Sequence, residues 1–131
     1  MNSKKILKSL LLLGSIYFFI VAIVHFLGVK IPMLYIYYDV ESTIYQDRII
    51  AVLSFVFSTF LFAAYKLLTI TLQIVKYVLI AGFIGVLGLA INNFLTNIAF
   101  RINLIYWLEI AFLGLYIMVL TFLYYKILKK M

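Results

Sequence analysis

Four apolar stretches, at about residues 6–28, 49–68, 75–93 and 104–127, occupy most of this chain of 131 residues. Each is close to the ~20 residues that a helix needs to cross the hydrocarbon of a bilayer. The connections between them are too short to build a separate core. The pattern predicts an all-α integral membrane protein: four transmembrane helices in an antiparallel up-down-up-down bundle, with residues 1–131 as one four-span domain. Composition points the same way. Hydrophobic residues make up 68% of the chain and charged residues 11%, against about 45–50% and about 25% in soluble domains. A soluble fold of this length has too little interior to hide so much apolar surface. There is no cysteine, so disulfides, thiol redox chemistry and Cys-based metal sites are excluded.

The net charge is +7 with only four acidic residues. In a soluble chain that balance would suggest nucleic acid, but here the basic residues flank apolar stretches, and no nucleic-acid partner is expected. Lys4, Lys5, Lys8, Lys66, Lys76, Lys126, Lys129 and Lys130 fall on one side of the four spans; only Lys30, Arg48 and Arg101 fall on the other. Basic residues in short loops accumulate on the cytoplasmic side. This bias predicts cytoplasmic N- and C-termini in what is expected to be a bacterial inner membrane. Tyr65, Tyr77, Tyr124 and Tyr125 would form the inner aromatic belt, and Tyr106 and Trp107 the outer one. Because no A-x-A-like cleavage site follows the first span, a retained anchor is expected rather than a removed signal peptide.

Between the first two spans lies an unusual connection, about residues 29–43. Its segment Ile31-Pro-Met-Leu-Tyr-Ile-Tyr-Tyr38 is apolar and aromatic, has high strand propensity and carries Pro32 near its start. Such a loop is expected to lie on the outer membrane surface or to fold over the helix ends as a lid. Just beyond it, Thr43-Ile-Tyr-Gln46 has the spacing of a capping box, which would start the second helix near Ile44. Asp47 then falls in its first turn, where a negative charge suits the helix dipole.

Polar residues within the apolar stretches gather at one end of them, the end expected to face outwards. They are His25, Asp47, Arg48, Asn92, Asn93, Asn97, Arg101 and Glu109. Polar groups in hydrocarbon are costly unless paired or hydrated, so a one-sided cluster calls for a reason. Helical spacing places Asp47, Ala51, Ser54 and Ser58 on one face of the second span, and Ala81, Gly85, Gly88 and Asn92 on one face of the third. Small residues at such spacing allow close helix packing in a bilayer. Gly82 lies off that stripe and is expected only to ease a bend. The first span adds Gly14, Phe18, Val21, His25 and Gly28 along one line.

Glu109 sits about five residues inside the fourth span, ~8 Å from its outer end. It is read either as a structural partner of Arg101, Arg48 or Lys30, or as a carboxylate that titrates or binds a cation. His25 is the only histidine and would reach Glu109 or Asp47. With no H-x-x-x-H, second histidine or thiolate, no metal site is expected, and no haem or other cofactor either. Asp47 and Arg48 would pair at the mouth of the second span or orient a polar head group entering from outside; Asn97 would cap the third span, and Asn92 would turn inward. Asp39 and Glu41 are read as solvated loop charges. His25, Asp47, Asn92 and Glu109 are therefore the expected pocket, with Arg48 and Arg101 at its rim.

No P-loop, G-x-S-x-G or H-E-x-x-H occurs, and no catalytic residue is assigned. Nor does the first span carry the carboxylate that small four-span multidrug exporters use. In span count and length alone the chain resembles small four-span bacterial membrane proteins, DoxX-like ones included, a resemblance without a motif that transfers no residue roles. The leading expectation is a non-enzymatic accessory, small-molecule-binding or lipid-binding membrane protein with an outward-facing polar pocket. It would be partnered by the bilayer and by further copies or another membrane subunit. The alternative is a proton- or ion-coupled transporter using Glu109. A membrane enzyme acting on a lipid or quinone head group comes third.

Overall fold

The computed structural model describes residues 2–99 and 103–130, with residues 97–99 described by their backbone alone. Its elements are four helices, α1 (Ser3–Leu27), α2 (Ile44–Leu67), α3 (Gln73–Ala99) and α4 (Leu104–Leu128). All four are long and apolar enough to cross a membrane. α1 packs on α2 and α4, and α3 on α2 and α4, with the seam between α1 and α2 the most extensive. Along that seam Lys8 meets Tyr65, Ser15 meets Ser58, Phe19 meets Phe55, and Phe26 meets Arg48.

Local chemistry sets the helix ends. The Asn2 side chain accepts from the Lys4 N–H to start α1, and Asn103 does the same for the Ile105 N–H at α4. The capping box of α2 forms as its spacing predicts: Thr43 Oγ1 accepts from the Gln46 N–H, and Gln46 Oε1 from the Thr43 N–H. α1 stops at Gly28, whose φ of +68° is the left-handed conformation that glycine adopts without a Cβ penalty. There the Gly28 and Val29 N–H groups bond back to the His25 and Val24 carbonyls. The chain is turned over the end of the helix it has just left.

An apolar core fills the half of the bundle remote from this turn. Leu7, Leu11, Leu61, Ala64, Leu68, Val75, Val78 and Leu120 are its most buried members. At mid-height two serines clasp α1 to α2. Ser58 Oγ donates to the Ser15 carbonyl at 2.7 Å, and Ser15 Oγ to the Ser58 carbonyl at 3.0 Å. Ala51, Ser54 and Ser58 are all buried, on the face of α2 that their spacing assigned. On the α1–α4 seam, Gly14 leaves room for Tyr116, whose hydroxyl donates to the Leu10 carbonyl at 2.9 Å.

Two expectations need correction. α3 runs on past Asn93 to Ala99, and it turns a different face inward. Val75, Val78, Leu79, Gly82 and Asn93 are buried, whereas Ala81, Gly85, Gly88 and Asn92 are exposed. Gly82 packs against Ile117, while a Cβ added at Gly85 or Gly88 would meet nothing. Apart from Gly82 and Asn93 the inward stripe is bulky and apolar, and close packing of bulky side chains, like that of small ones, holds helices together by dispersion. The aromatic loop, for all its strand propensity, forms turns. Its residues Met33 and Tyr37 have positive φ, 68° and 58°, which breaks any extended run.

Candidate functional site

The site is built where residues 28–43 fold back into the end of the bundle. Tyr35 is 1% exposed and His25 0%. Their rings stack with centroids 4.1 Å apart and planes at 20°, while the Ile36 N–H donates to His25 Nε2 at 3.0 Å. The Tyr17 hydroxyl donates to the Met33 carbonyl at 2.7 Å. Tyr37 donates to Asn93 Oδ1 at 2.6 Å and accepts from Asn92 Nδ2. Asn103 Nδ2 donates to the Tyr38 hydroxyl at 2.9 Å. A non-glycine residue at positive φ costs about 1–3 kcal/mol and persists only where its surroundings hold it. These bonds hold both such residues: Met33 through its carbonyl, Tyr37 through its hydroxyl.

The four expected pocket residues do not meet in a single chamber. His25 is sealed beneath Tyr35 and serves the loop as acceptor and stacking platform. Asp47 is also buried, but it faces a crevice walled by Ile36, Tyr37, Val40, Glu41, Ser42, Gln46, Ile49 and Ile50, with a volume of about 370 Å³. Glu109, buried too, lines a separate chamber of only about 10 Å³ with Asn93, Tyr106 and Tyr37. That is room for about one water molecule. Asn92 is exposed and, among the described residues, donates to the Tyr37 hydroxyl. The inward asparagine is Asn93, 1% exposed.

The expected rim is also rearranged. Arg48 lies with its guanidinium 5.5 Å from the Phe26 ring centroid, on the α1 side. Arg101 lies outside the described residues, as does the side chain of Asn97, which stands within α3 rather than at its end. Four buried polar atoms have no hydrogen-bond partner among the described residues: His25 Nδ1, Asp47 Oδ1, Asn93 Nδ2 and Tyr106 Oη. All four belong to this end of the bundle, where burial makes an unpaired polar atom costly. Burial pushes the Tyr35 phenol up from its ordinary value, with Asp47 adding to the rise and Ser42 opposing it. Burial raises Tyr37 as well; the bond from Asn92 opposes this and the Glu109 charge adds to it.

Below the Asp47 crevice lies a second one, apolar and about 370 Å³ in volume. It runs between α2 and α3, with Leu53, Ser54 and Phe57 on one wall and Ala81, Gly85 and Leu89 on the other. Leu53, Ala81 and Gly85 are exposed, so its mouth opens sideways between the two helices. Ile36, Tyr37 and Ile50 line both crevices.

Sequence reasoning placed Tyr37 only within the segment over the pocket, and it did not single out Asn93, Tyr106, Ser42 or Gln46 as lining residues. A signal for Asn93 was present, because it continues the spacing of Val75, Val78, Leu79, Gly82, Val86 and Leu89. For Tyr35 and Tyr37 the signal was weaker: tyrosines in an otherwise apolar loop, where each hydroxyl needs a partner once buried. Against known protein families, curated proteins and solved structures, the chain shows no match.

Proposed function

We propose that the protein is a non-enzymatic, integral membrane protein that binds an amphiphile at its outward end. The observation that carries this reading is a pair of adjacent crevices. The one that carries Glu41, Ser42, Gln46 and Asp47 takes a head group, the apolar one takes a chain, and Ile36, Tyr37 and Ile50 line both. The sideways mouth between α2 and α3 suits a ligand arriving from the lipid phase.

Membrane insertion is supported by the breadth of exposed apolar surface. Ile84, Leu87, Phe94, Leu104, Leu115 and Phe122 are each more than half exposed, and water tolerates no such contiguous surface. The seam pairs Lys8–Tyr65 through Phe26–Arg48 support an antiparallel α1 and α2, and the short turn between α2 and α3 extends the alternation. Lysine placement supports cytoplasmic termini, in a bacterial plasma membrane. Glu109 is read as part of a structural lock, since it shares a chamber of about 10 Å³ with Asn93, Tyr106, Tyr37 and the apolar Ile36, Leu89 and Ile110.

The test fills the apolar crevice without disturbing the core. A side chain added at Gly85 meets nothing nearby, so Gly85→Phe is expected to fold and to occupy the crevice. The chain purified in mild detergent is expected to retain an amphiphile in native mass spectrometry, and Gly85→Phe to lose it at unchanged helix content. Equal retention by both proteins would overturn the reading.

A further inference from the structure

We propose that a groove on the outer side of the α1–α2 seam is a phospholipid site, in which Arg48 takes the phosphate and the groove takes one acyl chain. This rests on the membrane reading above and is separate from the crevices beside α3. The groove has a volume of about 310 Å³, with Phe19 and Phe26 of α1 on one wall, Val52 and Phe55 of α2 on the other, and Ala22 and Ala51 between them. The two alanines are buried and the four wall residues are exposed. Two methyl groups thus make the floor, and bulky side chains stand clear on either side. From Phe19 to Phe26 the groove runs ~10 Å along α1, about two-thirds of the ~15 Å of hydrocarbon in one leaflet.

An apolar groove facing lipid does not by itself choose an occupant. The choice comes from the charge at its loop end. Arg48 stands one turn before Val52 and two turns before Phe55, so it continues the α2 wall outward. Its guanidinium lies 5.5 Å from the centroid of the Phe26 ring, on the opposite wall. The side chain therefore reaches across the end of the groove from α2 to α1. Contact with a ring draws on its charge and uses none of its five N–H donors. All four acidic residues are among the described ones, and none pairs with Arg48. Asp47, its neighbour in sequence, lines the loop crevice, and Tyr35, Ser42, His25 and Lys30 act on its carboxylate. Arg48 is exposed, so its donors and its charge are open to an occupant. A phosphodiester matches both, because the planar fork binds two of its oxygens at once. An ammonium alone would be repelled, and a neutral glyceride brings no charge. A free phosphate would satisfy the guanidinium and leave the groove empty, so the source of the phosphate is a lipid.

The test reads the site by position. The full chain, delipidated in a maltoside detergent, is offered phosphatidylglycerol or diacylglycerol carrying the same photoactivatable diazirine acyl chain, and labelled residues are mapped by mass spectrometry. The phosphatidylglycerol probe is expected to label residues 19–27 and 51–55 about tenfold more than the diacylglycerol probe does, the scale of one charge-assisted hydrogen bond. Arg48→Gln is expected to bring that labelling down to the diacylglycerol level while labelling at the lysine-bearing end of the bundle stays unchanged. Arg48→Lys is expected to recover only part of it, since an ammonium lacks the fork. Val52→Trp, which fills the groove from its exposed wall, is expected to reduce labelling by both probes. Even labelling of all four helices would overturn the groove. Equal labelling by the two probes, or full labelling of Arg48→Gln, would overturn the guanidinium's role, and complete displacement by equimolar inorganic phosphate would overturn the lipid as its source. Gly85→Phe is expected to leave this labelling unchanged, so the amphiphile reading can fail without it. A chain that stays dissolved without detergent or lipid would overturn the membrane reading and this site together.

Discussion

The Ile36 N–H donates to His25 Nε2 at 3.0 Å, and this one bond ties the aromatic loop to the end of α1. Only the neutral imidazole accepts it, because the imidazolium carries a proton on each nitrogen. His25→Phe keeps a ring for Tyr35 to stack on but leaves the Ile36 N–H without its partner. The expected loss is about 1–3 kcal/mol of loop stability, read as lower hydrogen-exchange protection over residues 31–38. Acidification that protonates His25 should loosen the same segment in the wild-type chain and have no further effect in His25→Phe. Loop protection that falls equally with acid in both proteins would exclude the histidine as its cause.

Asn92 and Asn93 are adjacent in sequence and differ in environment, exposed and buried respectively. Asn93→Ala removes the acceptor of the Tyr37 hydroxyl and is expected to cost about 1–3 kcal/mol. Asn92→Ala is expected to stay within about 0.5 kcal/mol of the wild type, as exposed positions do. Denaturation in a common detergent compares the two, and the reverse order would restore Asn92 as the inward residue.

Glycines on α3 separate in the same way. Gly82→Ala drives a methyl into Ile117, which is 3% exposed and part of the core, at an expected cost of about 1–3 kcal/mol. Gly85→Ala and Gly88→Ala meet open space and are expected to be neutral or to stabilise by up to about 1 kcal/mol through helix propensity. Thermal denaturation of the three variants tests this directly.

The phenols of Tyr35 and Tyr37 are both raised by burial. A group whose folded value lies above its unfolded one stabilises the fold below the unfolded value, about 10 for tyrosine. That contribution is lost as pH rises through the higher folded value. Tyr35 and Tyr37 should therefore be among the phenols that ionise late, and the loop should open as they do. Ultraviolet titration of Tyr35→Phe and Tyr37→Phe should each remove one late phenol. Retention of both late phenols in either variant would reassign them.

Much of the fold was legible because four apolar stretches of lipid-crossing length predict four long apolar helices. The α2 cap and the face bearing Ala51, Ser54 and Ser58 followed from spacing alone. The face of α3 did not. In a chain where every face is apolar, hydrophobicity no longer says which side is inside, and the small residues of α3 border a crevice instead of a helix seam. The polar end was legible as a place but not as an arrangement. Its geometry depends on Tyr35, Ile36 and Tyr37, which the loop inserts between side chains that are far apart in sequence. Gly28 signals the reversal that brings them there, but no periodicity in the loop records where its tyrosines land.

The sideways mouth between Leu53 and Gly85 has a bearing on how occupancy would be controlled. A ligand entering there never crosses an aqueous phase, so its effective concentration is its mole fraction in one leaflet. Binding would then follow changes in membrane composition, and diluting the aqueous medium would leave it unchanged.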